Sequence, residues 1–364
     1  MESVISFFRL YNEYLVLGIL VVFGLIEFIA GHLSKNKRST GDYIQEFFSF
    51  LLLSVATKPF IVVLVVFLGD TFFPSGSTLL NAMPFYFQLP LFLLVDDVMQ
   101  YWYHRSAHQY RFLWKLHRAH HASTEMGLLV SYRNAALYYM LMPNIWWLAL
   151  FTFWGGGSAV VVGLVLKQLV IIGAHSTTKW DRWLYRSSWL SPLAWVVERT
   201  IVTPAFHFAH HGVSQVDEIS EPNGNFGNMF AFWDILFGTA HFTRQYPEKF
   251  GIQTDTHDTW YTQMFFPVLK SQDENSPLSG KYNVKDTKID APTFIDLAQG
   301  NYLWCQCGLS KTQPFCDGCH HGTKYKPLLF KLEKQQKCTL CNCKRTKKAP
   351  FCDGAHKWPG EVGS

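Results

Sequence analysis

Residues 97–121 read DVMQYWYHRSAHQYRFLWKLHRAHH, and residues 203–211 read TPAFHFAHH. Eight histidines fall here into three groups: His104-x3-His108, His117-x2-His120-His121 and His207-x2-His210-His211. Steps of three and four residues bring side chains onto one face of a helix. Neutral imidazole is the commonest protein ligand for transition metals, and so many rings at helical spacing are not explained as isolated core histidines. The pattern predicts an all-α body with a metal site built on its helices. One ion cannot use eight imidazoles, so two are implied. Histidine without thiolate suits iron, copper or zinc, and a membrane setting with a redox partner favours iron.

Working outward, the helix carrying His104 and His108 begins in an apolar run from Leu79. Asp97, Tyr101, His104 and His108 share a face of it, so Asp97 is a candidate acceptor that would orient a ligand histidine. A carboxylate in a polar pocket is the competing reading. His117, His120 and His121 form a second ligand helix ending near Ala122. Thr203-Pro204 has the form of an N-cap and first helical position, opening the helix of His207, His210 and His211. His175 closes an apolar run and is expected as a ninth ligand. His32, His241 and His257 stand alone and are expected to be surface or packing residues.

Composition points to a membrane. Of 364 residues only 16% are charged, against about 25% in soluble proteins, and 49% are apolar. Tyr14–Ala30, Ile44–Leu68 (with Pro59 as a kink) and the run from Leu79 can each enter or cross a hydrocarbon core of about 30 Å. Ala136–Trp154 and Ser158–Ala174 flank Gly155-Gly156-Gly157 and predict a hairpin that enters the membrane. The first run is too long, and too poor in basic flanking residues, for a cleavable signal. Lys35, Lys37 and Arg38, then Arg105, Arg111, Lys115 and Arg118, then Lys179, Arg182 and Arg186 mark basic loops. Asp70–Thr78 has none. The positive-inside rule then puts the N-terminus outside and every histidine group on the cytoplasmic side of a bacterial inner membrane or the endoplasmic reticulum. The net charge of +5 suits an anionic membrane surface rather than nucleic acid. Trp146, Trp147, Phe151 and Tyr138 could line an apolar cleft, although packing or interfacial roles are the plainer expectation.

All eight cysteines follow residue 300, a segregation that fits metal in a reducing compartment rather than secreted disulfides. The spacing Cys305-x-Cys307-x8-Cys316-x3-His320 recurs as Cys341-x-Cys343-x8-Cys352-x3-His356, and each copy holds Pro-Phe-Cys-Asp-Gly. Three cysteines and a histidine form a four-ligand set that zinc would also accept, but Cys-x-Cys is tighter than the usual zinc pair. Cys338 belongs to neither copy and is expected to be structural. Basic residues such as Lys324, Lys326, Lys344 and Lys348 read as a solvated face. Ser271–Thr287 is polar and reads as a linker. The expected boundaries are 1–84 for N-terminal transmembrane helices, 85–266 for the histidine domain, 267–292 for the linker and 293–360 for the tandem cysteine unit.

Two resemblances follow. Asp97-x3-Tyr101-Trp102-x-His104-Arg105-x2-His108, Leu113-Trp114-x2-His117-x2-His120-His121, His207-x2-His210-His211 and Trp233-Asp234-x-Leu236-Phe237-Gly238-Thr239 resemble the fatty acid hydroxylase/sterol desaturase superfamily. The stretch from Pro204 with Asn225-Phe226-Gly227 is most similar to its alkylglycerol monooxygenase-like branch. This resemblance implies an all-α integral membrane fold with a diiron centre, and dioxygen-dependent hydroxylation, desaturation or ether cleavage of a lipid drawn from the bilayer. The cysteine repeats resemble tandem CDGSH proteins in the pattern Cys-x-Cys-x2-Ser/Thr-x3-Pro-x-Cys-Asp-Gly-x-His, with Ser310, Thr346, Pro314 and Pro350 in place. That resemblance implies a small β-rich domain with two [2Fe–2S] clusters, one on Cys305, Cys307, Cys316 and His320, the other on Cys341, Cys343, Cys352 and His356. Cys319 replaces the small residue before His320 and, as a near-isostere of serine, is expected to change little. The fusion points to an electron relay fed by an upstream reductase or ferredoxin-type donor, in a monomer or weak oligomer. A non-catalytic membrane redox or iron sensor is the alternative.

Overall fold

Among the described residues, helices built from the apolar runs dominate up to Phe265, and four short strands follow. The computed structural model describes residues 2–29, 38–213, 219–252, 258–273, 276–279, 292–344 and 346–353. The helices are α1 (Glu2–Ile29), α2 (Thr40–Leu51), α3 (Lys58–Phe72), α4 (Phe85–Gln109), α5 (Arg111–His121), α6 (Ala136–Leu141), α7 (Pro143–Phe151), α8 (Gly157–His175), α9 (Ser191–Thr200), α10 (Pro204–His211), α11 (Phe232–Leu236) and α12 (Trp260–Phe265).

Local sequence explains the joints. Ser39 and Asp42 open α2 with a capping box: Asp42 N donates to Ser39 Oγ at 3.2 Å, and Ser39 N to the Asp42 carboxylate at 2.9 Å. A π turn at Leu52–Thr57 joins α2 to α3 just before Pro59, whose missing N–H a wider turn absorbs. Together they make one 33-residue helical stretch, Thr40–Phe72. It and Pro143–His175 are long and apolar enough to cross a membrane. The second stretch is not straight. Gly155 (φ 93°) folds α7 back along α8. Asn144 of α7 and Lys167 of α8 accordingly both reach Gln100 of α4. Trp147 Nε1 donates to Phe92 O at 3.3 Å, and a Cβ at Gly163 would strike the Phe92 ring at 2.6 Å. The expected hairpin is present, with both arms laid on α4.

Helix α4, 25 residues and about 38 Å long, is the spine. Phe92 packs with Leu148, Phe151 and Val160 towards one end, and Tyr103 with Tyr138, Tyr139 and Ile172 towards the other. Glu27 of α1 accepts from Ser176 Oγ and Thr177 N, both at 2.9 Å, and so fixes the turn after His175. Part of the expected linker belongs to this body. Leu278 is buried in the same core as Phe266, and Ser276 Oγ donates to buried Asp258 at 2.6 Å. One apolar residue among polar ones suffices to dock the segment.

The strands are β1 (Thr293–Leu297), β2 (Gly300–Trp304), β3 (Leu328–Leu332) and β4 (Gln336–Leu340). β1 pairs antiparallel with β4, matching Thr293 to Leu340, and β2 pairs with β3, matching Trp304 to Leu328. Each Cys-x-Cys starts directly after a strand. The repeat in sequence is a repeat in hydrogen bonding. Cys305 N donates to Pro314 O and Cys341 N to Pro350 O, both at 2.9 Å; Cys316 N donates to Leu303 O and Cys352 N to Thr339 O, both at 2.8 Å. Cys338 is buried with Leu297, Leu332 and Leu340, the structural place expected for it.

The hairpin yields a stability test. At Gly155 an added Cβ meets Asn81 Oδ1 at 2.4 Å in a left-handed backbone, whereas at Gly157 it meets only Thr152 Cγ2 at 4.0 Å. Gly155→Ala is expected to destabilise the chain by about 1–3 kcal/mol, read as a lowered melting temperature, and Gly157→Ala to leave it within about 1 kcal/mol of wild type.

Candidate metal centre

All nine predicted histidines are buried, and they converge in two sets. His104, His108, His117, His121 and His210 form one; His120, His175, His207 and His211 form the other. Within each set one ring nitrogen per residue lies within 4.8 Å of the rest. Helical geometry divides them. On α5, His117 and His121 are one turn apart and face the first set, while His120, rotated away, faces the second. On α10 the roles are exchanged: His207 and His211 face the second set and His210 the first. The sets adjoin, since the rings of His121 and His211 stack at 4.5 Å and those of His120 and His211 meet at 4.4 Å.

Backbone and amide oxygens orient the rings. Nδ1 of His104 faces Phe226 O at 2.9 Å, that of His210 faces Gly224 O at 2.7 Å, and that of His120 faces Val130 O at 2.9 Å. His117 Nδ1 faces Asn134 Oδ1 at 2.8 Å and His175 Nδ1 faces Ile171 O at 2.8 Å. A ring whose Nδ1–H is given to an oxygen turns an Nε2 lone pair inward. These nitrogens meet at close range: His104 to His210 at 3.0 Å, His175 to His207 at 2.9 Å and His207 to His211 at 3.1 Å. Nε2 of His117 and His121 and both nitrogens of His108 are buried without a hydrogen-bond partner. Burial holds His117, His120, His121, His207, His210 and His211 well below the usual imidazole range, so they are neutral at pH 7. Converging, desolvated lone pairs are reconciled by cations, and the residues fit two metal ions.

Asp97 does not orient a histidine directly. Its carboxylate accepts from Met229 N at 3.0 Å and Phe230 N at 2.9 Å. The backbone of that loop needed acceptors, and the rings found carbonyls. Asp97 thus acts on the site only through the segment that carries Phe226 O. His241 belongs to neither set; His32 and His257 lie outside the described residues. A cavity reaches His104, His117, His120, His175 and His207. Of the four candidate aromatics only Tyr138 lines it, stacked on His117 at 4.9 Å; Phe151 is core, and Trp147 packs on it.

In the first cysteine repeat, Sγ of Cys305 and Cys307 lie 3.6 Å apart, and Cys316 Sγ lies 3.0 Å from His320 Nδ1. The repeat thus brings its four expected ligands together as two pairs. Cys319, expected to be inert, turns its thiol to 3.8 Å from Cys307 and joins the Cys305–Cys307 group. In the second repeat Cys341 and Cys343 approach to 3.5 Å. His356 lies outside the described residues. All eight cysteines are free thiols.

Both parts of the chain have known relatives. Residues 89–239 match the family described as Fatty acid hydroxylase, and residues 275–321 match the one described as Iron-binding zinc finger CDGSH type. The chain carries a fatty acid hydroxylase domain and a CDGSH-type domain. Alkylglycerol monooxygenase of Xenopus tropicalis is 27% identical over 143 residues, 39% of this chain and 28% of that protein. Methylsterol monooxygenase 1-3 of Arabidopsis thaliana is 27% identical over 175 residues, 45% of this chain and 52% of that protein. Human mitochondrial CDGSH iron-sulfur domain-containing protein 3 is 45% identical over 49 residues, 13% of this chain and 39% of that protein. The match therefore spans little more than a quarter of the frog enzyme's length.

The CDGSH-type domain sits against the fatty acid hydroxylase domain through His321 and Gly322, which the sequence did not single out. His321 stacks on Trp114 of α5 at 4.2 Å and lies 5.8 Å from the His108 ring; Gly322 N donates to His108 O at 2.9 Å. The doublet His320-His321 was the available signal, because a second histidine beside a ligand has no role in the repeat itself. Asn134 left no pattern at all. Asn134→Leu removes the oxygen that orients His117 and is expected to weaken metal retention about 10–100-fold, read as iron bound per chain after equilibrium dialysis.

Proposed function

We propose that the chain is an integral-membrane, dioxygen-dependent lipid oxidase of the hydroxylase or desaturase type, with its nine histidines holding two iron ions and its CDGSH unit passing them electrons. The observation that carries this reading is the double histidine set, open on one side to a cavity in the helical body and covered on the other by His320, His321 and Trp114. Iron so held supplies reductive activation of dioxygen. Hydroxylation consumes one dioxygen, two electrons and two protons and leaves one oxygen in the lipid and one in water; desaturation removes two hydrogens and leaves two waters.

The chain's own residues serve this chemistry by position. The five rings fixed through Nδ1, those of His104, His117, His120, His175 and His210, keep their metal-facing nitrogens preorganised. Leu53, Met142, Ile145, Leu148, Leu164 and Ile171 give the cavity an apolar stretch of wall. Along α2, the π turn and α3, Phe47, Val55, Phe60, Val63, Phe67 and Phe72 turn outward, an apolar surface that a bilayer would cover. By the positive-inside rule, the basic loops support a cytoplasmic side for the histidines. The names of the relatives above, monooxygenases of an alkylglycerol and a methylsterol, support a lipid substrate.

Cys305, Cys307, Cys316 and His320 would hold one [2Fe–2S] cluster, and Cys341, Cys343, Cys352 and His356 the second. From His320 the rings run on without a gap: His320 to His321 at 4.2 Å, His321 to Trp114 at 4.2 Å and Trp114 to His108 at 5.1 Å. Clusters held there would supply one-electron transfer from an external reductase or ferredoxin-type donor, and tethering would keep them at high effective concentration.

Two measurements test the proposal. Iron-loaded protein given reductant and a membrane lipid extract is expected to consume dioxygen and yield a lipid heavier by one oxygen or lighter by two hydrogens; no consumption with any lipid excludes the oxidase. His321→Ala and Trp114→Leu are expected to slow reoxidation of the prereduced clusters by the histidine site while iron and cluster content stay at wild-type levels. Unchanged rates exclude the relay.

A further inference from the structure

The helices that bring His104 and His175 to the metal centre also carry charge into the apolar body. Asp96 of α4 stands eight residues before His104, and Lys167 of α8 stands eight before His175. That is about 12 Å along each helix axis. Lys167 and Asp96 are 3% and 1% exposed and form an ion pair. Lys167 Nζ also donates to Gln100 Oε1 at 2.6 Å. Asn144 of α7 completes the group, with Nδ2 at 3.2 Å from Gln100 Oε1 and 3.5 Å from Asp96 Oδ1. A buried ion pair gives a helical body little net stability over apolar packing, and ionisable groups inside membrane helices mark functional sites. These four residues line the same cavity as His104, His117, His120, His175 and His207.

The donor and acceptor inventory fixes what the group lacks. An ammonium only donates and a carboxylate only accepts, so Gln100 must turn its oxygen to Lys167, and Asn144 its amide nitrogen to Asp96. Asn144 Oδ1 is therefore left over, and it is buried without a hydrogen-bond partner. Lys58 of α3, partly exposed, lines the cavity as well and brings a donor.

We propose that this polar end of the cavity holds the hydroxyl head of a lipid alcohol, which donates to Asn144 Oδ1, while the C–H to be oxidised lies towards the histidines. The inference rests on the oxidase reading above and names its substrate class. A hydroxyl both donates and accepts, so it satisfies Asn144 and can also accept from Lys58. A carboxylate has no proton for Asn144 and adds negative charge beside Asp96. A plain hydrocarbon leaves the amide oxygen unpaired.

Binding to the full chain in nanodiscs, followed by tryptophan fluorescence, tests this with two series: 1-hexadecanol, hexadecane and hexadecanoic acid; and cholesterol beside 5-cholestene. At least one alcohol is expected to bind about tenfold more tightly than its hydrocarbon counterpart, and in the first series more tightly than the acid. The series that responds separates chain alcohols from sterols. Asn144→Leu, which leaves the Lys167–Asp96 pair intact, is expected to abolish the preference while iron uptake stays normal. The proposal is overturned if no alcohol outbinds its hydrocarbon, if the acid binds as tightly as 1-hexadecanol, or if Asn144→Leu keeps the preference. If that variant does not take up iron, the wild-type series alone decides. Binding is measured on iron-free and iron-loaded protein alike, so a lost preference with intact dioxygen consumption fails this inference alone, and absent consumption fails the oxidase reading instead.

Discussion

Nine imidazoles removed from water impose the condition that the rest of the structure satisfies. Each buried ring nitrogen costs free energy unless it finds a partner. Nδ1 of His175 faces Ile171 O of its own helix and that of His117 the Asn134 amide, while for three other rings irregular segments supply the carbonyl. Phe226 O and Gly224 O come from the loop after α10, and Val130 O from the short turn after α5. That loop in turn needs acceptors for its own amides. Asp234 takes Phe226 N at 2.8 Å and Gly227 N at 2.6 Å, Asp97 takes the next pair, and Asn225 (φ 56°) bridges Phe206 O and His241. Two buried carboxylates that touch no ring therefore hold the frame in which rings can be held.

The histidine layer has two faces, and different residues show on each. His104, His117, His120, His175 and His207 line the cavity inside the helical body. His121 and His211, with Trp114, border the gap that Cys316, His320 and His321 close from the cysteine side. An oxidase of a membrane lipid has to admit a long apolar molecule and electrons to the same ions without letting one route obstruct the other. Placing the routes on opposite faces of one layer meets that requirement, and the alternation of His120 and His210 between the two sets lets both faces share the same two short helices.

Much of this was legible in the sequence, because periodicity survives without a fold. The His-x2-His-His spacing gave both ligand helices, Thr203 caps α10 by accepting from Phe206 N at 3.4 Å as expected, and the triple glycine placed the hairpin. What escaped shares one physical cause: a partner distant in sequence. Asp97 lies on the predicted face of α4, but its acceptors' demand comes from Met229 and Phe230, more than a hundred residues on. Asn134 meets His117 through a turn with no periodic mark. Lys167 and Asp96, isolated charges in apolar runs, declare themselves only when α4 and α8 are packed. Leu278 was hidden by its polar neighbours. Cys319 looked like a conservative replacement because its side-chain volume, not its direction, was all that the sequence offered.

The tandem arrangement follows from the electron count if each repeat holds one cluster. A one-electron carrier cannot complete a two-electron oxidation alone without waiting for a second delivery while reduced oxygen species are exposed. Two carriers in series can hold both electrons before dioxygen is committed. The repeats are joined at Trp304, the residue before Cys305: its Nε1 donates to Cys341 O at 2.7 Å. The Lys344 ammonium lies 4.5 Å from the same indole. Among the described residues, the first repeat reaches α5 through His321 and α4 through Gly322. In the proposed relay the second repeat would therefore load the first, which faces the histidines. A single CDGSH unit would have the right ligands but half the charge that each turnover draws.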